Sequence, residues 1–123
     1  MIFLSMIFMH IINDFLLQGI LASMKQKEWW KKQDGYEEMY KYDYIVALIM
    51  HSFSWAFMMM IPIAIATRFN VGLIYYIGVL VNVVIHCFVD DLKANKKKIS
   101  LMDDQLLHMM QILATYILFR AIT

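Results

Sequence analysis

A long apolar segment that ends in ionisable residues constrains this chain most strongly. The segment runs from about Val71 to Leu92 and is rich in Val, Ile, Leu and Tyr, so it is long enough to cross a bilayer. It also contains His86 and Asp90, and an ionisable residue inside a membrane segment is costly and marks a functional-site hypothesis. Because residues four apart share a helix face, these two side chains form one polar stripe, which Asn82 extends by a turn.

Three further apolar segments complete the pattern of an integral membrane protein. The hydrophobic fraction of 62% is too high for a soluble domain of 123 residues. We therefore predict one all-α domain, an integral membrane antiparallel four-helix bundle with short loops. Ser100 and Asp103 have the spacing of a capping box at the start of the fourth helix. The predicted helices cover about residues 1–22, 44–67, 71–92 and 100–122 of the single domain 1–123.

Two polar connections carry most of the positive charge. The first, Ser23–Asp43, contains a Trp-Trp pair and several Tyr residues, so we expect an interfacial loop or helix along the membrane surface. Nine of the eleven Lys and Arg residues lie in this connection or in Lys93–Lys98, whereas Arg68 and Arg120 lie toward the other side. The positive-inside rule then predicts a bacterial inner-membrane protein whose basic loops are cytoplasmic and whose two termini are outside.

Each predicted helix carries one histidine, and three of these histidines have an aspartate one turn away. At a rise of about 1.5 Å per residue, these groups lie roughly 9–18 Å from the cytoplasmic boundary, at a similar level in the bundle. We therefore predict that all four helices direct ligands to one shared centre. The predicted metal ligands are His10, Asp14, His51, His86, Asp90, Asp104 and His108.

Imidazole and carboxylate groups together are the ligands of zinc, manganese and non-haem iron. We expect one or two divalent ions, with zinc favoured, because seven candidate ligands exceed the needs of one tetrahedral ion. Such a centre lies beside Lys93 and the basic run Lys96–Lys98, where it could polarise a phosphate and activate water. The predicted reaction is hydrolysis of a phospholipid or an isoprenoid phosphate or diphosphate, with Asp104 as a ligand or general base and Lys93 at the phosphate.

The ordered motifs resemble those of the domain of unknown function 3307 family, which comprises small bacterial and phage membrane proteins. More distantly, the pattern is similar to that of LexA-regulated membrane-bound metal-dependent hydrolases, although the arginine-bearing histidine motif of those proteins is missing around His51. The resemblance implies a metal-dependent hydrolase in contact with membrane lipid and does not identify the substrate. The motifs that carry it are His10-Ile-Ile-Asn-Asp14-Phe-Leu-Leu-Gln18, the isolated His51, His86-x-x-x-Asp90-x-x-Lys93 and Asp104-Gln105-x-x-His108.

Two other interpretations stay open at this point. The polar residues can instead be interhelical hydrogen-bond partners, each contributing roughly 0.6–2 kcal/mol, in a non-enzymatic, phage-encoded protein that acts on a host membrane protein or forms homo-oligomers. An ion or proton pathway is less favoured, because the outer halves of the helices, such as Ala56–Ile65 and Val71–Val81, contain no acidic, basic or histidine residue. No basic patch interleaved with aromatic residues indicates nucleic-acid binding.

Overall fold

The computed structural model describes residues 1–122, which are about 80% helical and contain no strand, so the predicted all-α class is confirmed. Three of the helices are long and apolar enough to cross a membrane, and they follow the predicted spans closely. Two π-helical segments, Ile12–Leu17 and Tyr36–Tyr40, follow the first and third α-helices. In chain order the α-helices are α1 (Ile2–Ile11), α2 (Leu21–Met24), α3 (Lys27–Trp30), α4 (Asp43–Ala66), α5 (Leu73–Ala94) and α6 (Leu101–Ile122).

The three long helices expose many apolar side chains, and polar side chains of each helix are buried. Leu80 on α5 and Leu106 on α6 are 61% and 59% exposed, whereas histidines and aspartates face the interior. This distribution is compatible with a membrane protein. At about 1.5 Å per residue, helices of 22 to 24 residues reach about 33–36 Å, enough for a hydrocarbon core.

The start of α6 has the capping box that the sequence predicts. The Ser100 backbone N–H donates to Asp103 Oδ2 at 2.9 Å, and the Asp103 N–H donates in return to Ser100 Oγ at 3.2 Å. These reciprocal bonds satisfy two backbone donors that the helix itself leaves unpaired. The cap fixes where α6 begins, and therefore the height at which Asp104 and His108 project into the interior.

The first helical run is shorter than the predicted residues 1–22, because it ends at Leu17. Gly19 adopts a positive φ of 50°, a conformation that terminates helices and that glycine tolerates best. The amide of Gln18 also donates to the carbonyl oxygen of Asp14, which the helix end leaves without an intrahelical partner. The chain then turns into the short helix α2, and this turn brings Lys25 to the end of α5.

The interior has an apolar part and a polar part. In the apolar part, Met6, Trp55 and Ile112 are fully buried and join α1, α4 and α6. Asn82 on α5 accepts a hydrogen bond from Gln111 Nε2 on α6 at 2.8 Å, which links the two helices. The buried histidines and aspartates form the polar part of the interior, which lies toward the polar connections.

Candidate metal centre

The described residues bring all seven predicted ligands into one buried region. Their side chains come from α1, from the π-helical segment Ile12–Leu17 and from all three long helices. Each of the seven residues is at most 7% exposed, which is exceptional for so many ionisable groups unless they are paired or bind metal. The sequence-based expectation of one shared centre therefore agrees with the arrangement in the fold.

Five of the seven residues form two overlapping groups with the composition of a metal site. One group is Asp14, His51 and His86, and the other is His86, Asp90 and His108. Within each group the candidate ligand atoms all lie within 4.8 Å of one another. Asp90 faces both groups, since its Oδ2 lies 3.3 Å from His51 Nε2 and its Oδ1 lies 3.5 Å from His108 Nε2.

The distances between these atoms fit metal ligands better than hydrogen bonds. His51 Nε2 lies 3.4 Å from Asp14 Oδ1 and 3.3 Å from His86 Nε2. Charge-assisted hydrogen bonds measure about 2.7–2.9 Å, whereas two ligands of a tetrahedral zinc ion lie about 3.3 Å apart. The lysine contacts of Asp90 and Asp104 are shorter, at 2.6 and 2.7 Å, so the imidazole and carboxylate atoms are spaced more widely than these ion pairs.

Several buried atoms that face this space have no hydrogen-bond partner among the described residues. They include Asp14 Oδ1, Asp104 Oδ1 and His108 Nε2. A buried polar atom without a partner costs about 1–3 kcal/mol, so three neighbouring ones call for a compensating group. Asp14 and His108 belong to the two groups, where a divalent cation would accept the lone pairs of such atoms, and these residues therefore fit a metal ion.

Stacked rings hold the histidines in place. The Trp55 indole stacks on His86 with a centroid distance of 4.1 Å, and His86 stacks in turn on His108 at 4.2 Å. Trp55 belongs to the fully buried apolar core, so this stack ties the rings to the most tightly packed part of the fold. Packing of this kind fixes the orientation of imidazoles before any ligand binds.

His10 lies beside the two groups and belongs to neither. Trp55 Nε1–H donates to His10 Nδ1 at 2.7 Å, so the other ring nitrogen carries the proton and donates to Gln105 Oε1 at 3.0 Å. Gln105 Nε2 then donates to Asp14 Oδ2 at 3.3 Å and to Asp104 Oδ2 at 3.2 Å. Both ring nitrogens of His10 are therefore engaged in hydrogen bonds in this structure, and its predicted role as a metal ligand stays a prediction.

Asp104 and Lys93, the two residues predicted to act in catalysis, lie in direct contact. Lys93 Nζ is 2.7 Å from Asp104 Oδ2, while Asp104 Oδ1 lies 3.3 Å from His108 Nε2. Asp104 is fully buried, and about one third of the Lys93 side chain is exposed. The pair therefore links the buried histidines to the accessible end of α5.

The ion pair between Lys25 and Asp90 was not predicted from the sequence. Its Nζ lies 2.6 Å from Asp90 Oδ2, and the residue is only 9% exposed. Asn95 fixes this position, because its Nδ2 donates to the Lys25 carbonyl at 3.1 Å and its Oδ1 accepts the Lys27 N–H at 2.7 Å. In the sequence Lys25 is one of several basic loop residues. The signal that could have identified it is Gly19, because the turn at this glycine brings Lys25 to Asp90.

The charge balance of the region also favours a cation. Three buried carboxylates, those of Asp14, Asp90 and Asp104, face two ammonium groups, those of Lys25 and Lys93. With neutral histidines the region keeps one uncompensated negative charge, and burying such a charge is expensive. A divalent ion compensates this negative charge and leaves the region with one positive charge, and the neutral form of histidine is the one that binds metals.

Known proteins give no guide to the function of this chain. No protein-family model, curated protein or solved structure matches the chain. The resemblance of the motifs to small bacterial and phage membrane proteins accordingly stays a prediction.

Proposed function

We propose that the chain is an integral membrane metal-dependent hydrolase of phosphate esters. In this proposal α1 with its π-helical extension, α4, α5 and α6 form an antiparallel four-helix bundle in a bacterial inner membrane. The basic connections are cytoplasmic and both termini are outside, as the distribution of Lys and Arg predicts. The apolar outer faces of the three long helices support this placement.

One observation carries the proposal: five buried side chains from four helical segments converge with the spacing of metal ligands. They are Asp14, His51, His86, Asp90 and His108. Nitrogen and oxygen donors together favour zinc, with manganese and iron as the other candidates. Because the two Asp90 oxygens face different histidines, these residues would hold one ion or two.

The residues around these ligands are suited to phosphoester hydrolysis. A divalent ion held here would supply Lewis acidity to a phosphoryl oxygen and acidify a water molecule. Asp104 keeps one buried oxygen without a hydrogen-bond partner, so it can accept a proton as general base. Lys93 fixes the other Asp104 oxygen and places its positive charge at the accessible end, where it can contact a phosphate.

The proposed substrate is a membrane lipid with a phosphate or diphosphate group, such as a phospholipid or an isoprenoid phosphate, in the cytoplasmic leaflet. The centre lies toward the basic connections, which attract anionic headgroups. The resemblance of the motifs to membrane-bound metal-dependent hydrolases supports the same reaction class.

Elemental analysis of the detergent-purified protein tests the proposal. We expect one or two equivalents of zinc or manganese, lost in His86→Ala and Asp14→Ala and kept in the matched control Asn82→Ala, which changes a buried polar residue outside the two groups. Hydrolysis of phosphatidic acid and of an isoprenoid diphosphate is then measured with the loaded protein. No stoichiometric metal, even after zinc and manganese are supplied, rejects the hydrolase and leaves the polar residues as interhelical contacts of a non-enzymatic membrane protein.

A further inference from the structure

A cavity of about 330 Å³ lies at the end of α5, directly against the proposed metal centre. Asp90 contributes to both, since the same carboxylate faces His51 and borders the cavity. The exposed residues Gln26 and Lys97 lie at its rim, on the side of the polar connections. The cavity therefore gives solvent and headgroups access to the buried ligands from that side.

The lining of the cavity is rich in hydrogen-bond donors and in positive charge. Lys25, Lys93 and Lys97 line it from three places in the chain, together with Gln18 and Gln26, whose amides also donate to the Asp14 and Ala22 carbonyl oxygens. The only acidic side chain among its described lining residues is Asp90, which is already paired with Lys25. Lysine ammonium groups around one small space are suited to an anion with several oxygens.

We propose that this cavity binds a phosphate or diphosphate group through Lys25, Lys93 and Lys97. Its volume is at the small end of the range of about 300–1,000 Å³ for ligand sites, which suits a headgroup and leaves any acyl or prenyl chain outside. The anion then lies next to Asp90, within reach of the proposed hydrolytic centre. As a substrate site this assignment rests on the proposed function, whereas anion binding itself does not.

Two of the three lysines are shared between the cavity and the centre. Lys25 is paired with Asp90 at 2.6 Å and Lys93 with Asp104 at 2.7 Å. A cation that takes over these carboxylates leaves the ammonium groups without their charge partners and available to an anion in the cavity. Metal and phosphate binding are therefore expected to strengthen each other, and by thermodynamic linkage the effect is reciprocal.

The test measures anion binding by the full chain in detergent, with and without zinc. Inorganic phosphate and diphosphate are titrated first, and vesicles of phosphatidylcholine with and without phosphatidic acid then separate a free anion from a lipid headgroup as the source. Lys97→Gln removes an exposed cavity charge, Lys25→Met removes the buried one, and Lys25→Arg keeps it. Lys32→Met removes the same charge from an exposed position away from the cavity.

We expect Lys97→Gln and Lys25→Met each to weaken anion binding about tenfold or more, because each variant loses one charge-assisted hydrogen bond. Lys25→Arg and Lys32→Met are expected to bind the anion like the parent. Parent-like affinity in Lys97→Gln and in a monodisperse Lys25→Met overturns the proposal, as does an equal loss in Lys32→Met. Anion binding without metal content leaves the cavity assignment intact and rejects the hydrolase. Normal metal content with no anion binding rejects only the cavity assignment.

Discussion

Lys25→Met is expected to change metal and phosphate binding in opposite directions. In the parent protein the Lys25 ammonium group neutralises Asp90 and competes with a metal ion for the charge of this carboxylate. Removing it frees the carboxylate for the metal, and it also removes a donor from the cavity wall. We therefore predict tighter zinc binding and weaker phosphate binding from a single substitution.

The size of the zinc effect follows from the distances. The ammonium group lies 2.6 Å from Asp90 Oδ2. An ion held by the Asp90 carboxylate would lie about 5 Å from Nζ, where one positive charge opposes a divalent ion by about 7 kcal/mol at an effective dielectric constant of about 20. Lys25 can swing into the adjoining cavity and relieve most of this repulsion. If about one fifth remains, zinc binds about tenfold more tightly to Lys25→Met than to the parent.

Competition with a fluorescent zinc chelator in detergent measures this change, with helical circular dichroism and gel filtration as checks on folding. Lys25→Arg keeps the charge and Lys32→Met removes a distant one, so both are expected to bind zinc like the parent. Equal or weaker zinc binding by a correctly folded Lys25→Met would refute the idea that the lysine and the metal compete for Asp90.

Two further substitutions separate the metal centre from its surroundings. His10→Phe is expected to keep the full metal content, because His10 belongs to neither ligand group, and to lower the free energy of unfolding by about 1–3 kcal/mol because the Trp55 N–H loses its acceptor; loss of metal in the folded variant would make His10 a ligand. Gln111→Leu removes the hydrogen bond to Asn82 between α5 and α6 and is expected to cost roughly 0.6–2 kcal/mol in thermal unfolding with unchanged metal content; a change in metal content would extend the centre toward the outer part of α5.

The long helices were predictable because their signals are local. Predominantly apolar segments of about 20 residues indicate the three long helices. The Ser100–Asp103 capping box, which marks the start of α6, needs only four consecutive residues. The break after Leu17 was missed because apolar residues continue on both sides of Gly19. The glycine itself is the available signal, since a left-handed residue commonly ends a helix.

The sequence predicted which residues come together in the interior, whereas it did not predict the individual contacts of each residue. A histidine and an aspartate four residues apart share a helix face in any fold, so the spacing indicates His10–Asp14 and His86–Asp90 equally well. Which of these histidines is free to bind metal depends on partners distant in sequence, such as the Trp55 indole that takes one nitrogen of His10. Lys25 was missed for the same reason, because its partner Asp90 is 65 residues away.

The π-helical segment Ile12–Leu17 makes the centre sensitive to the number of residues as well as to their identity. A segment with i→i+5 hydrogen bonds accommodates a residue that a regular α-helix would not, and each residue added or removed rotates the adjoining chain by about 100°. Leu16 is 72% exposed, so exchanging it for another apolar residue should be tolerated, whereas deleting it would shift Gln18 and the turn that positions Lys25 relative to Asp14. Relatives of this chain are therefore expected to vary freely in side chain at such positions and to conserve the length of the segment.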